Sequence, residues 1–203
     1  MYCDIAGIEV RSRFGDADMP MKFAAFFRNL NLGRPPAPTR SVLEAAFAAA
    51  GAVNPCSFLT NGTVVFEAGS PASAARILTT AQATLRRDGF DEPAALRDVA
   101  GLAALIASDP LAGVALDDVY APCATFVIGT PADGASLPAA NPKGDVRVVS
   151  WHDGMLLSLT YKLGTSAGSP NAFVERTLDV PATTRVWNTV VRLVRKHGPG
   201  AAS

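Results

Sequence analysis

Ser57-Phe58-Leu59-Thr60-Asn61-Gly62-Thr63-Val64-Val65-Phe66-Glu67 places two short apolar runs on either side of an Asn-Gly pair. Asn-Gly adopts positive φ at both turn positions at low steric cost, so the stretch reads as a two-residue β-hairpin. Upstream of it, Val42, Leu43, Ala46, Phe47 and Ala50 recur at helical spacing. Thr39 or Ser41 can cap that helix and Gly51 can stop it. Further upstream, beyond a Pro-rich loop over 33–38, Phe23, Ala24, Ala25, Phe26 and Phe27 form an unbroken apolar run. A short run of this kind, bounded by polar residues, suits a strand covered on both faces. Downstream, Ser70-Pro71 opens a helix with Ser as cap and Pro at its first position. Ala74, Ile77, Leu78, Ala81 and Leu85 form its inner face, Gly89 ends it, and a short strand over 94–97 follows.

The order is β-α-β-β-α-β, which is the ferredoxin-like plan. A helix over 99–108 links this unit to a second one. There, an apolar strand over 123–129 answers the first strand, and Asp153-Gly154 turns a hairpin over 146–161. Ser169-Pro170 opens a helix with Phe173, Val174 and Leu178 inward. Residues 131–144 are rich in Pro, Gly and Ala, so any helix there is short. A helix over 184–197 stands where the first unit had its last strand. Strand, hairpin turn and Ser-Pro helix start recur in order, about 90 to 100 residues apart, which reads as a structural duplication. The expected fold class is therefore α+β, with two ferredoxin-like (βαββαβ-type) halves, the second modified at its C-terminal end. The expected boundaries are a poorly ordered N-terminal extension over 1–20, a first half over 21–97, a second half over 98–198 and a tail over 199–203.

About half of the residues, 49%, are hydrophobic, so the chain can bury a sizeable core. Lys+Arg and Asp+Glu balance at 18 each. That excludes the broad positive field of a nonspecific nucleic-acid or membrane binder. Cys3, Cys56 and Cys123 are odd in number and widely spaced. They form neither a disulfide framework nor a zinc-ligand pattern, which fits a reducing compartment. No apolar run reaches the ~18 residues that span a bilayer. With Asp4, Glu9, Asp16 and Asp18 near the N-terminus there is no secretory signal either, so a cytoplasmic location is expected.

Three stretches carry a family resemblance: Arg28-Asn29-Leu30-Asn31-Leu32-Gly33, Thr60 to Phe66, and Pro181-Ala182-Thr183-Thr184-Arg185-Val186-Trp187-Asn188-Thr189. With them, residues 21–196 resemble the bacterial family catalogued as domain of unknown function 1697. The last stretch differs from the family signature only at Val186, where the family has Asn. Ala167-Gly168-Ser169 replaces a Ser-Lys-Leu stretch, and Thr60 and Thr63 replace the Gln and Asn that flank the hairpin glycine. The resemblance implies a cytosolic two-subdomain α+β fold that begins near Met21, and it implies no activity.

Candidate chemistry is sparse. His152 lies beside a turn and His197 near the C-terminus, and no Gly-x-Ser-x-Gly elbow is present. No phosphate-binding glycine loop follows a strand. No catalytic residue, metal site or cofactor is therefore assigned. The helix start near Ser169 to Ala172 could hold an anion, although such helix ends are common. Asp117, Asp118 and Tyr120 are the acidic cluster that an unrecognised enzyme site would use. Arg185, Asn188, Arg192, Arg195 and Lys196 fall on one side of the expected C-terminal helix, opposite Trp187, Val190, Val191 and Val194. Arg28 and Asn31 follow the first strand, where Arg28 could equally pair with an acid and Asn31 support its own turn. Since Arg28, Asn31, Arg185 and Asn188 all match family positions, a shared cleft between the halves is expected from them. The expected function is noncatalytic binding of a small anionic ligand or a peptide there. The alternatives are RNA or single-stranded DNA binding through strand aromatics, which no RNP-like motif favours, and an enzyme with an unrecognised site.

Overall fold

The computed structural model describes residues 20–200. Its first sheet contains β1 (Met21–Phe27), β2 (Val53–Phe58), β3 (Thr63–Ala68) and β4 (Ala94–Asp98), in the order β2-β3-β1-β4. All of its pairings are antiparallel. β1 lies inside the sheet and is covered on both faces, as its unbroken apolar run predicts. Phe23, Ala25 and Phe27 join the core under α1 (Arg40–Ala49) and α2 (Pro71–Arg87), with Leu43, Phe47 and Leu85. Ala24 and Phe26 alternate to the opposite face. Thr39 caps α1 by accepting from the Val42 amide, and Ser70 and Ser73 form a reciprocal capping box on α2.

The second sheet contains β5 (Ala121–Val127), β6 (Val146–His152), β7 (Met155–Thr160) and β10 (Ala182–Val186), in the order β10-β5-β7-β6. A small hairpin of β8 (Lys162–Leu163) and β9 (Ser166–Ala167) leads to α4 (Pro170–Leu178). α4 covers the outer face with Val174 and Leu178 over Val127 and Leu156. Two further helices, α3 (Val99–Ala107) and α5 (Trp187–His197), each continue directly from the last strand of a sheet. They share one core with the facing sides of both sheets. In it Ala24, Phe26, Val99 and Leu102 meet Ala124, Phe126, Val190 and Leu193. At its centre the rings of Phe26 and Phe126 stack with centroids 4.1 Å apart.

The C-terminal end differs from the expected one. Residues 182–186 are a strand, paired with β5 from Ala182↔Val127 to Val186↔Cys123, and the helix starts only at Trp187. Thr183, Thr184 and Val186 are β-branched and favour a pleated backbone over the helix expected from residue 184 onward. Strand-then-helix thus ends both sheets, as β4–α3 and as β10–α5. The second sheet departs from the first at residues 128–145, which hold no helix where α1 lies in the first. The expected 1–20 extension falls almost wholly outside the described residues, and so do residues 201–203. Among the described residues no helix is long and apolar enough to cross a membrane.

Candidate functional site

β10 follows Pro181 and carries Arg185 as its fourth residue. The strand's alternation turns this side chain toward the first sheet, where it is only 7% exposed. Every N–H of the guanidinium has an acceptor. Nη2 donates to the carbonyls of Phe27 at 2.9 Å and Asn61 at 2.7 Å. Nη1 donates to Thr183 Oγ1 and to the Thr184 carbonyl, and Nε donates to Thr63 Oγ1 at 3.3 Å. The Phe26 ring lies beneath it, 5.8 Å from the guanidinium carbon. No carboxylate is paired with it among the described residues. Burial pushes its pKa down to about 10, which leaves it cationic at neutral pH.

β4 does the same in the other direction. It follows Pro93 and carries Arg97 as its fourth residue. Arg97 Nη2 donates to the carbonyls of Gly154, at 2.7 Å, and Val127, at 3.4 Å, in the second sheet. Its guanidinium carbon lies 5.6 Å from the Phe126 ring. Each sheet thus lends an arginine to the last residue of the other's first strand and to the other's hairpin turn. The two turns serve the same purpose locally, with Phe27 N donating to the Gly62 carbonyl and Val127 N to that of Gly154.

Around Arg185 lies an open cleft of about 350 Å³. Arg28, Asn31 and Arg185 line it together. Asn188 does not. It is exposed on α5, and Thr189 takes the place beside the cleft. Arg185 lies on a strand and not on the expected helix face. Arg28 is neutralised: its Nε donates to Glu175 Oε1 at 2.6 Å, and Glu92 lies 3.6 Å from Nη1. Those hydrogen bonds hold the Glu175 carboxyl below its ordinary range. Asn29, Asn61 and Asn171 complete the polar lining.

Asn61, Asn171, Arg97 and Glu175 were not singled out from the sequence. Asn61 read only as a turn residue. A signal for Arg97 was present in Pro93-Ala94-Ala95-Leu96-Arg97, which matches Pro181-Ala182-Thr183-Thr184-Arg185 at its proline, first alanine and arginine. Elsewhere, His152 Nε2 is hydrogen-bonded to Ser150 Oγ at 2.7 Å. His197 packs edge-on to Phe58. No group of three or more metal-ligating side chains occurs among the described residues.

Residues 21–156 match the family described as "Protein of unknown function (DUF1697)". The chain belongs to this family. No curated protein matches it. Among solved structures it is similar to a conserved bacterial protein, SP0830, from Streptococcus pneumoniae. The TM-score is 0.56 at 15% identity, over 86% of this chain and 97% of that one. At that identity the likeness concerns the fold alone.

Proposed function

We propose that this DUF1697 member, whose family has no assigned activity, is a noncatalytic binding protein. Its ligand is a small anion held in the cleft between two ferredoxin-like halves, over 21–97 and 98–198, related by duplication. The matching strand orders and the exchanged arginines support that division. One observation carries the ligand class: Arg185 brings a buried positive charge to the cleft with no carboxylate against it, whereas Arg28 is already matched by Glu175 and Glu92. In low dielectric such a charge acts strongly on whatever occupies the cleft. Asn29, Asn31, Asn61, Asn171 and Thr189 supply amide and hydroxyl groups to orient an oxyanion.

The noncatalytic reading rests on the lining. Among the described residues it has no histidine, cysteine or carboxylate, the groups that general acid–base and nucleophilic chemistry most often use. Phe23, Phe26, Phe58 and Phe66, the aromatics that an RNA-stacking reading needs, are buried.

A thermal-shift series with phosphate, sugar phosphates and organic acids tests the proposal. At least one anion should raise the melting temperature saturably. Asn31→Ala with Asn171→Ala should remove that rise while leaving the ligand-free melting temperature in place. Stabilisation that survives both substitutions would put the ligand elsewhere.

A further inference from the structure

The two exchanged arginines make two equivalent clefts, and they differ at the residues beside the turn. Around Arg97 lies a second cleft, of about 480 Å³, lined by Thr130, Trp151 and Asp153 among others. The hairpin there turns through Asp153-Gly154, the one around Arg185 turns through the four residues 59–62, and Met155 and Thr63 open the strands that follow. Thr63 pairs with Phe26 and Met155 with Phe126, so in register Asp153 stands where Asn61 stands and Met155 where Thr63 stands, with Asp153 alone of the first two at positive φ.

The consequence is a difference in hydrogen bonding. Arg185 Nε donates to Thr63 Oγ1, which uses a lone pair of that hydroxyl. Thr63 Oγ1 has one proton, and it goes to Asn61 Oδ1 at 3.1 Å. The carbonyl end of the Asn61 amide is thereby fixed, and its NH2 end is the one free to meet a ligand. In the other cleft Met155 has no hydroxyl, and Arg97 Nε is buried without a partner. Asp153 has no ion-pair partner there, and its charge acts on Arg97.

Resting on the binding reading above, we infer that Asn61 is the anion-selecting residue of this protein. Thr63 is its positioning residue, and Asp153 closes the equivalent second cleft to anions. The relay Arg185 → Thr63 → Asn61 presents a donor to the ligand from a cation that has no free N–H of its own. A carboxylate in the same place accepts the Thr63 proton equally well and turns its remaining oxygen toward the ligand, so it repels an anion.

Inorganic phosphate is the probe, with 1H–15N spectra of the full chain reporting at the Gly62 and Gly154 amides. In the unsubstituted protein phosphate should shift Gly62 saturably and leave Gly154 in place. Asn61→Asp should weaken the Gly62 response by about tenfold or more. Thr63→Val should weaken it too, and Thr63→Ser, which restores the hydroxyl, should recover it. Asp153→Asn, combined with Met155→Thr to supply the hydroxyl that Met155 lacks, should add a response at Gly154. Circular dichroism and the ligand-free melting temperature separate lost binding from lost folding, and Asp153→Asn, a gain, cannot arise from misfolding. A Gly62 response of unchanged affinity in Asn61→Asp overturns the role of Asn61 and leaves the binding reading standing. Equal behaviour of Thr63→Val and Thr63→Ser overturns the relay. Absence of any Gly154 response when Asp153→Asn is combined with Met155→Thr overturns the closing role of that carboxylate. No saturable Gly62 response in the unsubstituted protein overturns the binding reading itself.

Discussion

Arg185 is first a structural residue. Its five N–H groups are all engaged by protein oxygens, main-chain carbonyls and buried threonine hydroxyls at the junction of the sheets. Arg185→Met keeps the apolar stem and strands those acceptors, so it should lower stability by roughly 2–4 kcal/mol in urea unfolding. Arg185→Lys should recover part of that, since an ammonium cannot reproduce the planar fork. Three other residues shape the response to acid. Burial, with Lys196 and Lys22 nearby, holds the His197 pKa below its ordinary value. The unfolded chain then binds the proton first, so stability is complete above about pH 6.5 and falls as the pH drops through the folded value. Glu175 is held low by Arg28, so its contribution is complete above about pH 4.5 and is lost below that. Urea midpoints measured against pH should therefore show two separate losses. His197→Phe should remove the upper one, and Glu175→Gln should shrink the lower, which Asp145, held low by hydrogen bonds from Asn141 and Lys143, also feeds. The pairing of Arg28 with an acid was among the readings open from its sequence. The burial of Arg185 was not, because a lone cation between Thr184 and Val186 carries no sign of the carbonyls that a distant strand end will offer it.

At the scale of elements, the two Ser-Pro helix starts look identical in sequence and are built differently. Ser70 accepts from the Ser73 amide at 3.1 Å, while Ser73 Oγ accepts from the Ser70 amide at 2.9 Å. Ser169 makes no cap bond to its helix, and its hydroxyl donates to Asn171 Oδ1. Ser70→Ala should therefore cost about 1 kcal/mol and Ser169→Ala close to nothing, as chemical-denaturation midpoints would report. Local patterns were enough to locate β1, both hairpins, α1, α2 and α4, because apolar period, turn chemistry and Pro placement act within a few residues; the expected two-residue Asn61-Gly62 turn, however, is a four-residue loop over 59–62 in which Leu59 and Gly62, and not Asn61, take positive φ. They misplaced β10. Five residues ahead of an amphipathic helix follow whichever neighbour offers pairing, and β5 lies more than fifty residues away in the chain. The cleft was legible to the extent of Arg28, Asn31 and Arg185, which the structure gathers from the loop after β1 and from β10. Its donor set came from the turn, where Asn61 had already been accounted for as a backbone conformer.

At the scale of the molecule, the shared core makes the two sheets thermodynamically dependent on each other. Phe26 and Phe126 stack across it, and α3 and α5 contribute to the same cluster. Calorimetry should therefore show a single transition with equal calorimetric and van't Hoff enthalpies. Phe26→Ala should cost about 3–5 kcal/mol and reduce amide-exchange protection in both sheets together, whereas independent halves would lose it in the first sheet only.

The exchange of arginines also sets a timetable for biosynthesis. The carbonyl of Asn61 and its donor on Arg185 are 124 positions apart in the chain. At ribosomal speeds the nascent N-terminal sheet waits on the order of 10 s with the acceptors at its strand ends uncapped. Its inward face, centred on Phe26, stays open for as long. During that interval the growing polypeptide is most exposed to mispairing with a neighbour on the same message, and it is then that a chaperone would have most to protect.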